Sequence, residues 1–285
     1  MRKLIGILMI VTLIVAVICA DAKYGIITSL VKGPMTEAEK EQFLEDLYAG
    51  MLRRDSEIIL YYYGDNEEMQ KFVTGAVKKI YEMDKKDTSS DFDYMRYVHK
   101  VSNILMSGWG KKYKIVYQME YLESKRETEL VDEEVGRILK KIIKKNMTAA
   151  QKIRKIHDYV VEHVEYDTST NRNSPYAALY NRSSACQGYA TLIYKMMTEA
   201  GVPCRVITGS AKGGLHAWNI VKIKDKWYNI DATWDDPVGG FGKERMKYDY
   251  YLKGNLGFWD HDRAEEFNTV AFNEAYPMAK NNYHS

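Results

Sequence analysis

Hydrophobic and polar positions along this chain change period several times, and each change marks an element. Phe43, Leu44, Leu47 and Leu52 fall on one side of a helix that Thr36-Glu37-Ala38-Glu39 opens as a capping box. Glu57–Tyr63 is dense in strand formers and stops at Gly64-Asp65. A helix over about 67–83 follows, then a polar loop over 85–93. Residues 94–106 fit helix or strand equally. Tyr113, Ile115, Tyr117, Met119 and Tyr121 alternate through 111–122, the signature of a half-buried strand, and Val131–Ile143 is helical again.

A second section begins near Asn146. Thr148-Ala149-Ala150-Gln151 caps a helix that runs to about Val164, and Tyr166–Ser184 reads as loop. Ser184-Ala185-Cys186-Gln187 fits another capping box, with Ser184 as N-cap and Gln187 at N3, opening a helix to about Ala200. Cys186, Ala190, Ile193, Met197 and Ala200 form one stripe on it. Strands are expected at Arg205–Ser210, His216–Ile223 and Lys226–Thr233, and Trp234–Ser285 is aromatic and turn-rich without a period. The pattern divides the chain into an α/β region over 23–145 and a second domain over 146–285.

The first residues follow a different logic. Arg2 and Lys3 precede an apolar run from Leu4 to Ala20, and Ala20-Asp21-Ala22 is a small-x-small cleavage site. Residues 1–22 therefore read as a signal peptide, and the mature chain is expected to be secreted or held at the cell surface. The run is also at the short limit for a spanning helix, so an uncleaved membrane anchor stays open, as does lipidation at Cys19. Membrane contact is expected only through this segment. A formal charge of +2 offers no electrostatic reason to bind nucleic acid. Lysine pairs such as Lys78-Lys79 and Lys140-Lys141 sit near acidic residues and read as solvated helix faces.

Export makes the cysteines informative. Two remain after residue 22, Cys186 and Cys204. They lie at opposite ends of a helix of about 15 residues, roughly 22 Å long, whereas a disulfide needs Cα atoms within about 7 Å. Cys186 is thus expected as a free thiol. In the first helical turn it lies near unpaired N–H groups and the positive end of the helix dipole, which favour the reactive thiolate. Taken alone, the stripe reads better as a buried structural cysteine.

A base is available downstream. Lys224-Asp225 is a plausible two-residue hairpin turn. If Ile223 pairs with Lys226, Trp218 lies opposite Asp231, and His216 becomes its diagonal neighbour on the same face, roughly 7–8 Å away at Cα. A three-residue turn would send the two side chains to opposite faces. On one face they suit nucleophilic catalysis: imidazole takes the thiol proton and returns it to a leaving amine, while the carboxylate fixes the imidazole. Separately, His216 could be a structural strand residue and Asp231 a cap.

Ser184-Ala185-Cys186-Gln187-Gly188-Tyr189-Ala190, His216-Ala217-Trp218-Asn219 and Trp227-Tyr228-Asn229-Ile230-Asp231-Ala232-Thr233-Trp234-Asp235 together resemble the transglutaminase-like superfamily core, over roughly 146–265. The link Ala200-Gly201-Val202-Pro203-Cys204-Arg205-Val206 resembles it too. The resemblance implies an α+β, papain-like transglutaminase core, with a cysteine-bearing helix packed on an antiparallel sheet. It also implies Cys186 as nucleophile, His216 as base and Asp231 as the orienter of that base. Active members share a thioester intermediate, and they include crosslinkers, proteases and peptide N-glycanases. Animal transglutaminases need calcium, but Asp235-Asp236-Pro237 reads as a turn. His157 and His163, six apart on a helix, face different ways, so no metal or cofactor is expected. The oxyanion is expected to meet the Cys186 N–H and a side chain such as Tyr180 or Tyr176. Trp218 and Trp234 are expected to flank the cleft. Tyr248-Asp249-Tyr250-Tyr251-Leu252 and His261 resemble the tail of bacterial members and receive no chemistry.

The expected function is thiol-dependent acyl transfer or amide hydrolysis on protein or peptide substrates, cell-wall peptides included. Hydrolysis is favoured because water needs no pocket for a second substrate. The alternatives are a protein crosslinker and a non-catalytic binding module on the same core.

Overall fold

The computed structural model describes residues 33–82, 92–236 and 247–284. The signal segment 1–22, most of the expected loop 85–93 and Pro237 lie outside the described residues. In chain order the elements begin with α1 (Glu37–Arg53), β1 (Glu57–Tyr63), α2 (Asn66–Glu82), α3 (Phe92–Val98), β2 (His99–Trp109) and β3 (Lys112–Tyr121). There follow α4 (Lys125–Ile142), α5 (Ala149–His163), β4 (Glu165–Tyr166), a π-helical turn (Ala177–Asn181), β5 (Ser183–Ser184) and α6 (Cys186–Glu199). The rest comprises β6 (Cys204–Ala211), β7 (Gly214–Ile223), β8 (Lys226–Ile230), α7 (Ala232–Asp235), β9 (His261–Arg263) and α8 (Val270–Ala275). Among the described residues no helix is long and apolar enough to cross a membrane.

The chain forms two compact units. One comprises Met1–Ile80, described from Gly33, with Val101–Glu120; the other comprises Tyr81–Lys100 and Tyr121–Ser285. The units therefore do not divide at 145/146. Residues 81–100 and 121–145 join the second unit because α3 and α4 pack on α6, and because Asp93 of α3 pairs with Arg205 of β6 at 2.6 Å.

The first unit is a three-stranded sheet in the order β1-β3-β2. Antiparallel pairing sets Ile58 opposite Tyr117 and Leu60 opposite Ile115. Ile115, Tyr117 and Met119 are buried while Lys114 and Glu120 are exposed, the alternation of a sheet with one covered face. The capping box of α1 forms, with Thr36 N donating to Glu39 Oε2 at 2.8 Å. Phe43, Leu44 and Leu47 are buried, but Leu52 is not; Met51, four residues after Leu47, continues the stripe instead. The ambiguous segment 94–106 resolves into the end of α3 and most of β2, and Asp93 is helical rather than loop.

The second unit surrounds α6, which touches α3, α4, α5, β6 and β7. Its four-stranded sheet has the order β8-β7-β6-β9. Burial along β7 is continuous from His216 to Val221, so both of its faces are covered and period-2 alternation is lost. Trp218 and Ile220 pack with Phe258, Phe267 and Tyr276 from the aperiodic C-terminal segment. From the opposite face, Asn219 Nδ2 donates to Ala190 O of α6 at 2.9 Å. That bond ties the cysteine helix to the sheet.

Candidate active site

Cys186 is the first residue of α6, half-buried and free; Cys204 is free and buried. The capping box expected before it does not form. Ala185 is the N-cap, with no side-chain bond. Ser184 belongs to β5, paired in parallel with Tyr166, and its Oγ donates to Arg172 O at 2.9 Å. Gln187 Nε2 donates to Tyr97 O at 2.6 Å. The helix start is pinned instead by the preceding loop. Ala185 N donates to Arg172 O at 2.7 Å, and Asp167 accepts from Ser169 N and Arg172 N, both at 3.0 Å. Gly188 permits this approach: a Cβ there would lie 1.9 Å from Ser184 Oγ.

The hairpin takes the two-residue register. Ile223 pairs with Lys226 and Asn219 with Ile230, so the next pair along would be Trp218 with Asp231. β8 nevertheless ends at Ile230, and Asp231 caps α7 rather than continuing the strand. Its Oδ1 accepts from Thr233 N at 2.9 Å and Trp234 N at 3.3 Å, which turns the chain. Its Oδ2 accepts from His216 Nε2 at 2.7 Å. The Cys186 thiol also acts on this imidazole, as a hydrogen-bonding and charged partner that raises it alongside Asp231.

Electrostatics follow from these contacts. Burial alone would deprotonate His216, but its bonds to Asp231 and Cys186 hold the imidazolium and push its pKa up to about 10. Burial would likewise raise Asp231, yet hydrogen bonds from two histidines, His216 and His261, bring it down to about 2. The second histidine went unassigned in the sequence because it lies in the aperiodic tail. Its Nε2 meets the same Oδ2 at 3.1 Å. The available signal was a histidine inside the aromatic run Phe258-Trp259-Asp260-His261.

Other expectations are corrected. Tyr180 is turned away from the site, stacked on Tyr176 with its hydroxyl donating to Leu130 O at 3.1 Å. Tyr166 instead stands near the site: burial raises its phenol, and the charges of Cys186 and Asp231 add to that. Trp218 is fully buried and lines no cleft, whereas Trp234 is partly exposed with its ring 5.3 Å from His216. Asp235 closes α7 and Asp236 follows it in a bend, and both are buried. Asp235 Oδ2 meets His157 Nε2 at 3.1 Å, and Asp236 accepts from Tyr189 OH at 2.6 Å. The His163 ring bonds to Tyr159 O at 2.8 Å, apart from His157's partners. His216, Asp231 and His261 are the one trio of metal-capable side chains found among the described residues, their ligand atoms within 4.8 Å of one another. Their contacts to Asp231 are of hydrogen-bond length.

Residues 136–232 match the model of the Transglutaminase-like superfamily. The chain carries a transglutaminase-like domain. The matched stretch includes Cys186, His216 and Asp231 and ends before His261. The transglutaminase-like region is similar to the Kyphoscoliosis peptidase of Homo sapiens, 30% identical over 105 residues, and to that of Mus musculus, 30% identical over 102 residues. Each match covers 30% of this chain, but only 16% of the human protein and 15% of the mouse protein. A solved structure described as a TGase is 15% identical, covers 57% of this chain and 52% of its own, and has a TM-score of 0.38. Members of the superfamily are cysteine-dependent enzymes.

Proposed function

We propose that this chain is a thiol-dependent acyl-transfer enzyme acting on protein or peptide amides, with Cys186 as nucleophile, His216 as acid–base group and Asp231 as its orienter. The observation that carries the reading is the 2.7 Å bond between His216 and the Asp231 carboxylate, with a free cysteine at the first residue of α6 that acts on the same imidazole. Cys186 Sγ attacks the amide carbon, and the imidazolium of His216 protonates the leaving nitrogen as the C–N bond breaks. A thioester on Cys186 remains. Water, giving a proton to His216, then attacks the same carbon; the C–S bond breaks, and the acid and the thiol are released. Asp231 keeps the imidazole aligned through both steps.

Hydrolysis is the favoured outcome, because water reaches an open thioester without a second binding pocket. The basic, apolar N-terminal segment supports a role at the cell surface, cell-wall peptides included. The test offers the purified protein a glutamine-containing protein, with and without a labelled primary amine. Release of carboxylic acid and free amine or ammonia, abolished in Cys186→Ala, supports hydrolysis. Incorporation of the label, equally lost in Cys186→Ala, would identify a crosslinker. Turnover that survives Cys186→Ala would refute the proposal.

A further inference from the structure

The hairpin that joins β6 to β7 turns beside the site. Ala211 pairs with Gly214, so Lys212 and Gly213 alone make the turn. Both have positive φ, 48° and 79°. A two-residue turn of this kind favours Asn, Asp or Gly at its first place, so the lysine is not what the turn itself selects. His216 follows two residues after Gly214.

The Lys212 side chain reaches over the site. Its Nζ lies 4.3 Å from the centre of the Trp234 ring. That ring lies 5.3 Å from His216 and 4.4 Å from His261, and Tyr250 meets it edge-on at 4.9 Å. The indole is therefore held by its neighbours, yet it stays partly exposed. An aromatic face attracts an ammonium without neutralising it. Among the described residues no carboxylate lies within ion-pair distance of Lys212. Asp260 is engaged elsewhere, by Tyr250 OH at 2.7 Å and by His261 Nδ1 at 2.9 Å. Asp231 already accepts from Thr233 N, Trp234 N and His216. An exposed cation thus stands one indole away from the imidazole, with an aromatic partner and no counter-ion.

Its place relative to the reaction follows from the path of the proton. One ring nitrogen of His216 is engaged by Asp231. The imidazole must still hand a proton to the leaving nitrogen, so the atoms bonded to that nitrogen pass close to the ring. Trp234 and Lys212 flank the same ring. The acyl half of the substrate stays on Cys186.

We infer that Lys212, held on Trp234, binds a carboxylate on the leaving half of the substrate and makes the chain select amides that carry one there. The carboxylate is the α-carboxylate of a C-terminal residue or the side chain of an Asp or Glu, and a lysine ammonium suits both. Lys212 is a specificity-determining residue and takes no part in the proton transfers. The inference rests on the roles proposed above for Cys186 and His216. It narrows their substrate to peptide bonds, because ammonia leaving a glutamine side chain has no carboxylate to offer.

Three peptide pools with one shared, randomised acyl half test it. Their leaving halves are glycine with a free α-carboxylate, glycinamide, and glutamic acid α-amide. With the full chain, kcat/KM should be about tenfold higher for an anionic pool than for glycinamide, the scale of a hydrogen bond to a charged group. Which anionic pool leads tells a main-chain carboxylate from a side-chain one. Lys212→Gln should erase the preference, Lys212→Glu should invert it, and Lys212→Arg should keep it. Roughly 1 M sodium chloride should erase it in the wild type, with no variant needed. Equal rates on all three pools, a preference unchanged in Lys212→Gln, or one that survives the salt would overturn the inference. Binding of the same pools to full-length Cys186→Ala separates the site from the chemistry. Anionic pools held more tightly than glycinamide, and no longer so once Lys212→Gln is added, uphold the carboxylate site even if the wild type cleaves nothing. That result would remove only the proposed catalytic function.

Discussion

Two of the buried histidine–aspartate pairs in this unit, His216 with Asp231 and His157 with Asp235, sit in environments that set them on different paths. Asp231 accepts four N–H bonds, from Thr233, Trp234, His216 and His261. Burial would raise it, but the hydrogen bonds and charges of His216 and His261 outweigh that and bring it down to about 2. Asp235 accepts from His157 Nε2 at 3.1 Å and Tyr250 N at 2.9 Å, and burial leaves it raised. His216 also meets a thiol, whereas His157 is enclosed, with Tyr251 and Tyr248 packed on its ring at 5.0 and 5.5 Å. On the proposed function, the same two residue types make an acid–base group in one place and a structural clasp in the other. Donor count and access to the sulfur decide which.

Breaking each pair in turn should separate chemistry from stability. His216→Ala should lower Cys186-dependent turnover by at least about 10³-fold, the scale of a lost general acid–base group, while the far-UV dichroism stays native. Asp231→Asn should lower kcat by about 10²- to 10⁴-fold, because the imidazole loses its tautomer and alignment. His157→Phe should do the reverse. Stranding Asp235 in the core should cost about 3–5 kcal/mol in urea melts, with Cys186 alkylation unchanged wherever the protein is folded.

Stability against pH sharpens the contrast. Asp231 is held below its ordinary value, so its contribution is present above pH 3.8 and is lost as pH falls through about 2. Asp231→Asn should flatten that acid limb, an effect of about 2 kcal/mol. His216 is held above its ordinary value, so its contribution is full below pH 6.5 and is lost as pH rises through about 10. Asp236, raised to about 6 by burial, contributes below pH 3.8 and loses that contribution as pH rises through 6. Asp236→Asn should therefore stabilise the protein by about 1 kcal/mol at pH 8 and leave it unchanged at pH 3, read as a shift in Tm.

How much of this was legible depends on the kind of signal each residue carries. Where burial alternates, as along β3, the sequence pattern maps directly onto the structure. Capping boxes at Thr36 and Thr148 form as the residues suggest, because both lie at exposed helix starts where a side chain is free to cap. Ser184 carries the same motif but is buried in β5, where Arg172 O claims its hydroxyl. Hairpin register was recoverable from turn length, and it predicts the meeting of His216 and Asp231. His261 was not recoverable that way. Its approach depends on Gly209 admitting β9 and on an aromatic cluster gathered from an aperiodic segment. Asp235 and Asp236 follow Trp234 like turn residues, and only tertiary contacts with His157 and Tyr189 reveal them as core.

The most direct test of the account compares its two thiols. The purified protein is treated with sub-stoichiometric iodoacetamide at pH 6, and adducts on the Cys186 and Cys204 peptides are quantified by mass. Cys204 is buried, with its ionisation pushed well up by that burial, and serves as the internal control. The account predicts modification almost wholly at Cys186, falling by about two orders of magnitude in His216→Ala. Equal labelling of the two thiols, or Cys186 labelling unchanged by loss of His216, would contradict it.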